Sequence, residues 1–309
     1  MPTGDETPQA VAGYFAGGRD SGGKLSGLDK ITFPADTKST LSDTLTTARE
    51  SASGMANSGT AGYIGQGADS GGNISGIDKI AFPADTKSTL VATLTTAVTN
   101  GGAMANSGSA GYFAGGLNAS AVDISTIDKI TFSSDSKSTL AATLTSGNFT
   151  LSGMADSGTA GYFSGGFNLG GSVKLSRIDK ITFSSDAKST LAATLSSLRN
   201  SLSAMANSGT AGYVGGGNDT GFISGIDKIT FSADTKSTLA ATLSTARADL
   251  AGMANSGVGG YFGGGEESGS VKISGIDKIT FASDTKTTLS DTLTSARFLL
   301  AGMADSGVL

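Results

Sequence analysis

Apolar positions in this chain recur in short bursts at a fixed beat. The fifth copy of the unit shows the pattern: LSAMANSGTAGYVGGG, a short variable stretch, then ISGIDKITFSADTKSTLAATLSTAR. Four strands are read from it, A around Met205, B at Gly212 to Gly216, C at Ile226 to Phe231 and D at Lys236 to Leu243. In strand C, Ile226, Ile229 and Phe231 fall on both faces of a pleat whose side chains alternate. A strand buried on both faces fits a sheet stacked between neighbours better than one side of a sandwich. Gly, Ser, Asn and Asp gather between the strands, where turns need them. No segment joins a helical cap to an apolar stripe of period 3.6, so the chain reads as all-β.

The beat itself decides the architecture. Gly-Tyr pairs recur at Tyr14, Tyr63, Tyr112, Tyr162, Tyr213 and Tyr261, spaced 49, 49, 50, 51 and 48 residues apart. A period of this size signals a propeller or an array. Repeats start near Gly13, Gly62, Gly111, Gly161, Gly212 and Gly260, which predicts one six-bladed propeller over 11–309 with four-stranded antiparallel blades. Residues 1–10 are left over as an N-terminal arm. The first copy enters at strand B and the chain finishes on a lone strand A within LLAGMADSGVL, so the C-terminal strand is expected to complete the first blade and leave no open edge at the seam. The repeated Tyr, the Phe of strand C from Phe33 to Phe281, and the recurring Asp-Lys pair, Asp29 and Lys30 onward, read as packing and as bonds to backbone or between blades.

GYFAGG, then a hydrophobic-Asp strand, a tight turn and a Leu-x-x-x-Arg exit resemble the kelch repeat over nearly the whole chain. The kelch Trp of strand D is Leu here (Leu41, Leu90, Leu140, Leu191, Leu239, Leu289), and Gln66 interrupts the second double glycine. At the level of the repeat, GY-x-x-GG, IDK-hydrophobic-x-F-x-x-D and Leu-x-x-AR look like kelch-like repeats encoded in virion genes of tailed phages of aquatic bacteria and cyanobacteria. That resemblance implies a virion location and a part in attachment, decoration or fibre assembly. The partners implied are other virion or surface proteins, with a host-surface glycan and self-association as alternatives. A kelch-type interaction scaffold or a lectin-like bacterial adhesin are the other classes the pattern allows, the lectin weakened by the lack of Trp.

Composition narrows the chemistry. A formal charge of -5 argues against a duplex-binding protein, which would offer phosphate a basic face. MPTGDETPQA has neither the basic nor the apolar region of a signal peptide, and no apolar run is long enough to span a bilayer, so membrane insertion is not expected. With no His and no Cys, the copper site of galactose oxidase has no ligands and a zinc site is improbable. The C-D turn, SSDSKST in the third copy and SADTKST in the fifth, looks like the Asp-box of sialidases, which is a structural turn. The six Tyr are symmetric, so no acid-base pair stands apart, and neither an enzyme nor a cofactor is expected. Calcium takes oxygen ligands, and Asp69, Asp123, Asp219, Glu266 and Glu267 lie in the B-C loops.

Variation picks out one face. All length variation falls in the B-C loops, of 6, 6, 7, 8, 5 and 7 residues, and the D-A connections emerge beside them. The A-B turns (NSGTAG in the fifth copy) and C-D turns (SADTKST in the fifth copy) sit opposite and scarcely change. Phe149, Phe167, Phe222 and Phe298, the Phe outside the repeated positions, lie in the variable connections, as do Arg49, Arg199, Arg247 and Arg297. Arg19 and Arg177 flank the B-C loops. Because Arg and aromatics are enriched at binding hot spots, these eight are the candidate binding residues of the loop face.

Overall fold

The computed structural model describes residues 12–305. Six four-stranded antiparallel sheets stand as blades of one ring, and no helix occurs among the described residues. The fifth blade runs Ser203–Asn207, Ala211–Gly215, Ile226–Thr230 and Thr235–Thr238 from the axis outward, in the order A to D. Strand D is shorter than its apolar pattern suggested. The Leu239 N–H still bonds to the Ile226 carbonyl, but the chain then turns inward over the blade and buries Leu243.

Closure is as expected. The C-terminal strand Ala301–Ala304 pairs with Ala12–Ala16 in the register Gly13 to Ala304 and Ala16 to Ala301, becoming the innermost strand of the first blade. The expected arm of residues 1–10 lies outside the described residues.

The core lies between blades. Strand B is buried along its whole length in every blade, from AGYFA at Ala12–Ala16 to GGYFG at Gly259–Gly263. One apolar cluster joins Tyr14 and Leu28 of the first blade to Ile64, Ile80 and Phe82 of the second. The same joint repeats round the ring. Each Tyr stacks on the Phe of the next blade at ring separations of 5.0 to 5.3 Å. Its hydroxyl donates to the Asp at the tip of that blade's C-D turn at 2.6 to 2.9 Å, as in Tyr14 to Asp85 and Tyr261 to Asp36. The Lys of the Asp-Lys pair reaches the other oxygen of that carboxylate at 2.6 to 2.7 Å. On the way its ammonium passes 5.3 to 5.5 Å from the Tyr ring. The recurring Lys therefore does pair between blades. Burial, then the hydrogen bond and charge of the Asp, push every Tyr hydroxyl well above its ordinary range, so these phenols stay protonated.

The NSG turns are stitched in the same way. Ser58 N–H donates to Ser107 Oγ at 2.9 Å, Ser107 to Ser157 and Ser157 to Ser208, while Gly108 N–H returns a bond to Asn57 Oδ1 at 2.8 Å. The face that scarcely varies is the face where each turn holds its neighbour.

A chain cut after Arg297 loses the inner strand of the first blade and opens the Ala12–Ala16 edge. Such a truncation is expected to lose cooperative thermal unfolding in calorimetry; a soluble fragment melting like the full chain would contradict the closure.

Candidate functional site

The opposite face is built from the B-C loops and the D-A connections. Most B-C loops close as two-residue ladders, such as Phe167–Asn168 with Val173–Lys174 and Glu266–Glu267 with Val271–Lys272. Each D-A connection bridges to the loop of the following blade, as Glu50 to Ala68, Phe149 to Phe167, Asn200 to Asn218 and Ala248 to Glu266. Side chains lean the same way: Lys24 Nζ donates to the Asp69 carbonyl at 2.7 Å, and Asn73 Nδ2 to the Leu117 carbonyl at 2.9 Å. The loops thus form a connected surface fixed on a rigid ring, the usual setting for recognition. Their carboxylates mostly hold turns. Asp69 accepts from Gly71 N–H at 2.7 Å and Asp123 from Leu169 N–H at 2.9 Å, and among the described residues no three acidic groups come together as a metal site.

The four candidate Phe are half-buried on this face. Phe149 and Phe167 meet edge to face, 5.6 Å apart at 67°, where the third and fourth blades join. Exposed Val122, Leu169 and Val173 stand on the loops of those two blades. Phe222 lies apart, bridged to Asn218 in the fifth blade, and Phe298 lies beneath the Lys272 ammonium, 5.3 Å away. The structure gathers one apolar patch out of four scattered Phe.

The arginines require a correction. Arg49, Arg199, Arg247 and Arg297 are between 0 and 3% exposed and offer nothing to a partner. Each passes under the loops to the Asp of the next blade: Arg199 Nη2 is 2.7 Å from Asp227, Arg247 3.0 Å from Asp277 and Arg297 2.9 Å from Asp29, with Arg49 on Asp78. Each of these aspartates also accepts the N–H of a Thr or Ser from the preceding blade, as Asp29 does from Thr294 at 2.8 Å and Asp227 from Ser196 at 2.8 Å. Burial alone would raise the Asp29 carboxyl; the Thr294 bonds and the Arg297 charge outweigh it and hold it below its ordinary value. Burial lowers the four guanidinium groups, with the facing Asp opposing it. Variability of the surrounding loop concealed a conserved-geometry joint, because the arginine side chain leaves the segment that carries it.

Two blades make that joint differently. In the fourth, Asn148 takes the place of the arginine and donates to the Gly165 carbonyl at 2.8 Å, the counterpart of the Gly216 carbonyl that Arg199 reaches at 3.1 Å. Arg177 then supplies the charge to Asp179 at 3.3 Å. In the third, Val98 stands in the arginine position and buried Gln66 extends from the second blade toward the Gly115 carbonyl, 3.4 Å away. A side chain at Gly101 would collide with Gln66, so the broken double glycine, the missing arginine and Gly101 form one coupled exchange.

A pit of about 100 Å³ opens at the axis of this face. Its wall carries a closed circle of backbone hydrogen bonds: Ser51 N–H to the Leu299 carbonyl, Asn100 to Ser51, Thr150 to Asn100, Ser201 to Thr150, Asp249 to Ser201 and Leu299 to Asp249, at 2.5 to 3.0 Å. All six residues are left-handed, with φ between 54° and 58°, a conformation that costs a non-glycine residue about 1 to 2 kcal/mol. The circle of bonds over-determines it. Below, Gly54, Ala103, Gly153, Ala204, Gly252 and Gly302 narrow the axis, and a side chain at Gly153 would strike the Ala103 carbonyl. Asp249 brings the one carboxylate of the lining. The residue is half-buried; burial pushes its pKa up from 3.8 to about 6, nearby Glu266 adds to the rise and the Ser201 hydroxyl works against it. Sequence reading passed over this residue. The signal was there, a single acid in a column that otherwise reads Ser, Asn, Thr, Ser and Leu.

No protein-family model matches the chain, and no curated protein matches it in sequence. The fold and the two axial and lateral features of the loop face carry the functional reading.

Arg247→Ala leaves Asp277 buried without its main counter-charge and is expected to cost about 3 to 5 kcal/mol of stability, measured by urea unfolding; a change within experimental error would show that the pair is dispensable. For Asp249 the sign follows from linkage. The folded state binds the proton more tightly than the unfolded chain, so the stability this residue allows falls as pH rises from about 4 to about 6. In amine-free buffer Asp249→Asn is expected to melt above the parent at pH 7.5 and level with it near pH 4. An equal difference at both pH values would refute the buried carboxylate.

Proposed function

We propose that this chain is a non-enzymatic binding and structural protein, a surface component of a tailed-phage virion acting in attachment, decoration or fibre assembly. The observation that supports a binding role is the contrast between the two faces. The turn face repeats because its Ser, Asn, Tyr, Lys and Asp side chains join blades, whereas the loop face differs from blade to blade and carries the Phe149–Phe167 pair beside exposed Val122, Leu169 and Val173. A unique partner needs an asymmetric surface. The kelch-like form of the repeat supports the virion assignment, and a structural part for the tyrosines is supported by their being held protonated in six equivalent joints.

Mass spectrometry of purified particles is the test of location, with the chain expected in intact virions; its recovery in a host envelope fraction instead would favour a bacterial surface adhesin. For the face, Phe149→Ala and Phe167→Ala are expected to weaken attachment by about 2 kcal/mol, roughly thirtyfold, as truncation of an interface anchor does. Ser134→Arg, which places a charge on the exposed C-D turn, is expected to leave attachment unchanged. The reverse result would make the repeated face the interface.

A further inference from the structure

We infer that the axial pit of the loop face is a binding site for a primary alkylammonium group, with Asp249 as its counter-ion. Four observations converge on this ligand class. The lining is made of Ser, Thr, Asn, Gly, Ala and Leu with one carboxylate, and no Lys or Arg among the described residues lines it, so these residues give the pit a negative charge without a cation. The charge is placed by the closed backbone circle, which fixes Asp249 at φ 54° and leaves its side chain free of any duty in the blade joints. The rim hydroxyls of Ser51, Thr150 and Ser201 and the amide of Asn100 stand at equivalent positions round the same axis and provide acceptors for the remaining ammonium protons.

Size completes the selection. At about 100 Å³ the pit is smaller than the roughly 150 Å³ cavity that houses a benzene ring. A pyranose ring does not fit, whereas an ammonium head on a methylene stem does. Calcium would need six to eight oxygens, and the described residues bring no three acidic ligands together. Glu266, on the adjacent B-C loop, adds a second negative charge close enough to act on Asp249, which favours a cation over an anion there. The same chemistry is presented by a lysine side chain of a protein partner and by a free amine such as a polyamine. Neither source depends on the virion assignment.

The test is titration of the full-length protein with methylammonium chloride, followed by amide chemical shifts of Ser201, Asp249 and Leu299, against sodium chloride and tetramethylammonium chloride at matched ionic strength. Saturable shifts at these amides are expected with methylammonium alone. Asp249→Asn, shown folded by circular dichroism, is expected to bind at least tenfold more weakly, while Asp219→Asn, an acid on a B-C loop that does not line the pit, keeps the parent affinity. Nα-acetyl-lysine methylamide and spermidine run as separate arms: tighter binding of the first assigns the site to a protein partner, of the second to a free amine. No saturation by any amine, equal saturation by sodium, or undiminished binding in Asp249→Asn would each overturn the inference.

Discussion

No blade of this protein has a core of its own, and every other feature follows from that constraint. Strand B is apolar on both faces because both are covered by other blades, so burial is complete only when the sixth blade meets the first. Ring closure by Ala301–Ala304 is therefore a condition of folding for all six units. Hydrophobic contact alone would let blades slide, since it has no direction. Direction comes from the carboxylates. One Asp per C-D turn receives a Tyr hydroxyl and a Lys ammonium from the blade before, and one Asp per strand C receives a Thr or Ser, in most blades joined by an Arg. Each blade is thus keyed to a single neighbour in a single register.

The keys explain what could be read from the sequence. Blade number, strand order and closure were legible because each rests on a residue repeated in place: Tyr in strand B, Ile and Phe in strand C, a lone strand A at the end. Pairing through the Asp-Lys dipeptide was legible for the same reason. The four exit arginines misled because position and destination differ. Arg247 belongs to a variable surface segment by its backbone and to a buried ion pair by its guanidinium, and nothing in one dimension separates the two. Asp249 was missed through the opposite effect, since its significance arises only where six connections converge on an axis that has no counterpart in linear order.

Departures from the repeat carry their own lesson. Gln66 follows strand B while Val98 and Gly101 lie in the next D-A connection, yet the structure makes them one substitution, an arginine replaced by an amide entering from the neighbouring blade with space cleared for it. Asn148 and Arg177 repeat the theme with other parts. The joint tolerates different donors: Arg199, Asn148 and Gln66 each reach a backbone carbonyl just past strand B, while Arg247 and Arg297 reach one a step earlier, on Phe262 and Phe15.

The circle of backbone bonds round the axis has a further consequence. All six donors point in the same rotational sense, each N–H to the carbonyl of the blade before, so the plug of the disc is held by peptide groups that every residue type possesses. Ser, Asn, Thr, Asp and Leu all occupy it with the same φ. The circle itself uses no side chain, which makes the centre of the disc a socket whose lining is interchangeable: its charge and polarity can be rewritten one residue at a time while the blades that frame it stay as they are.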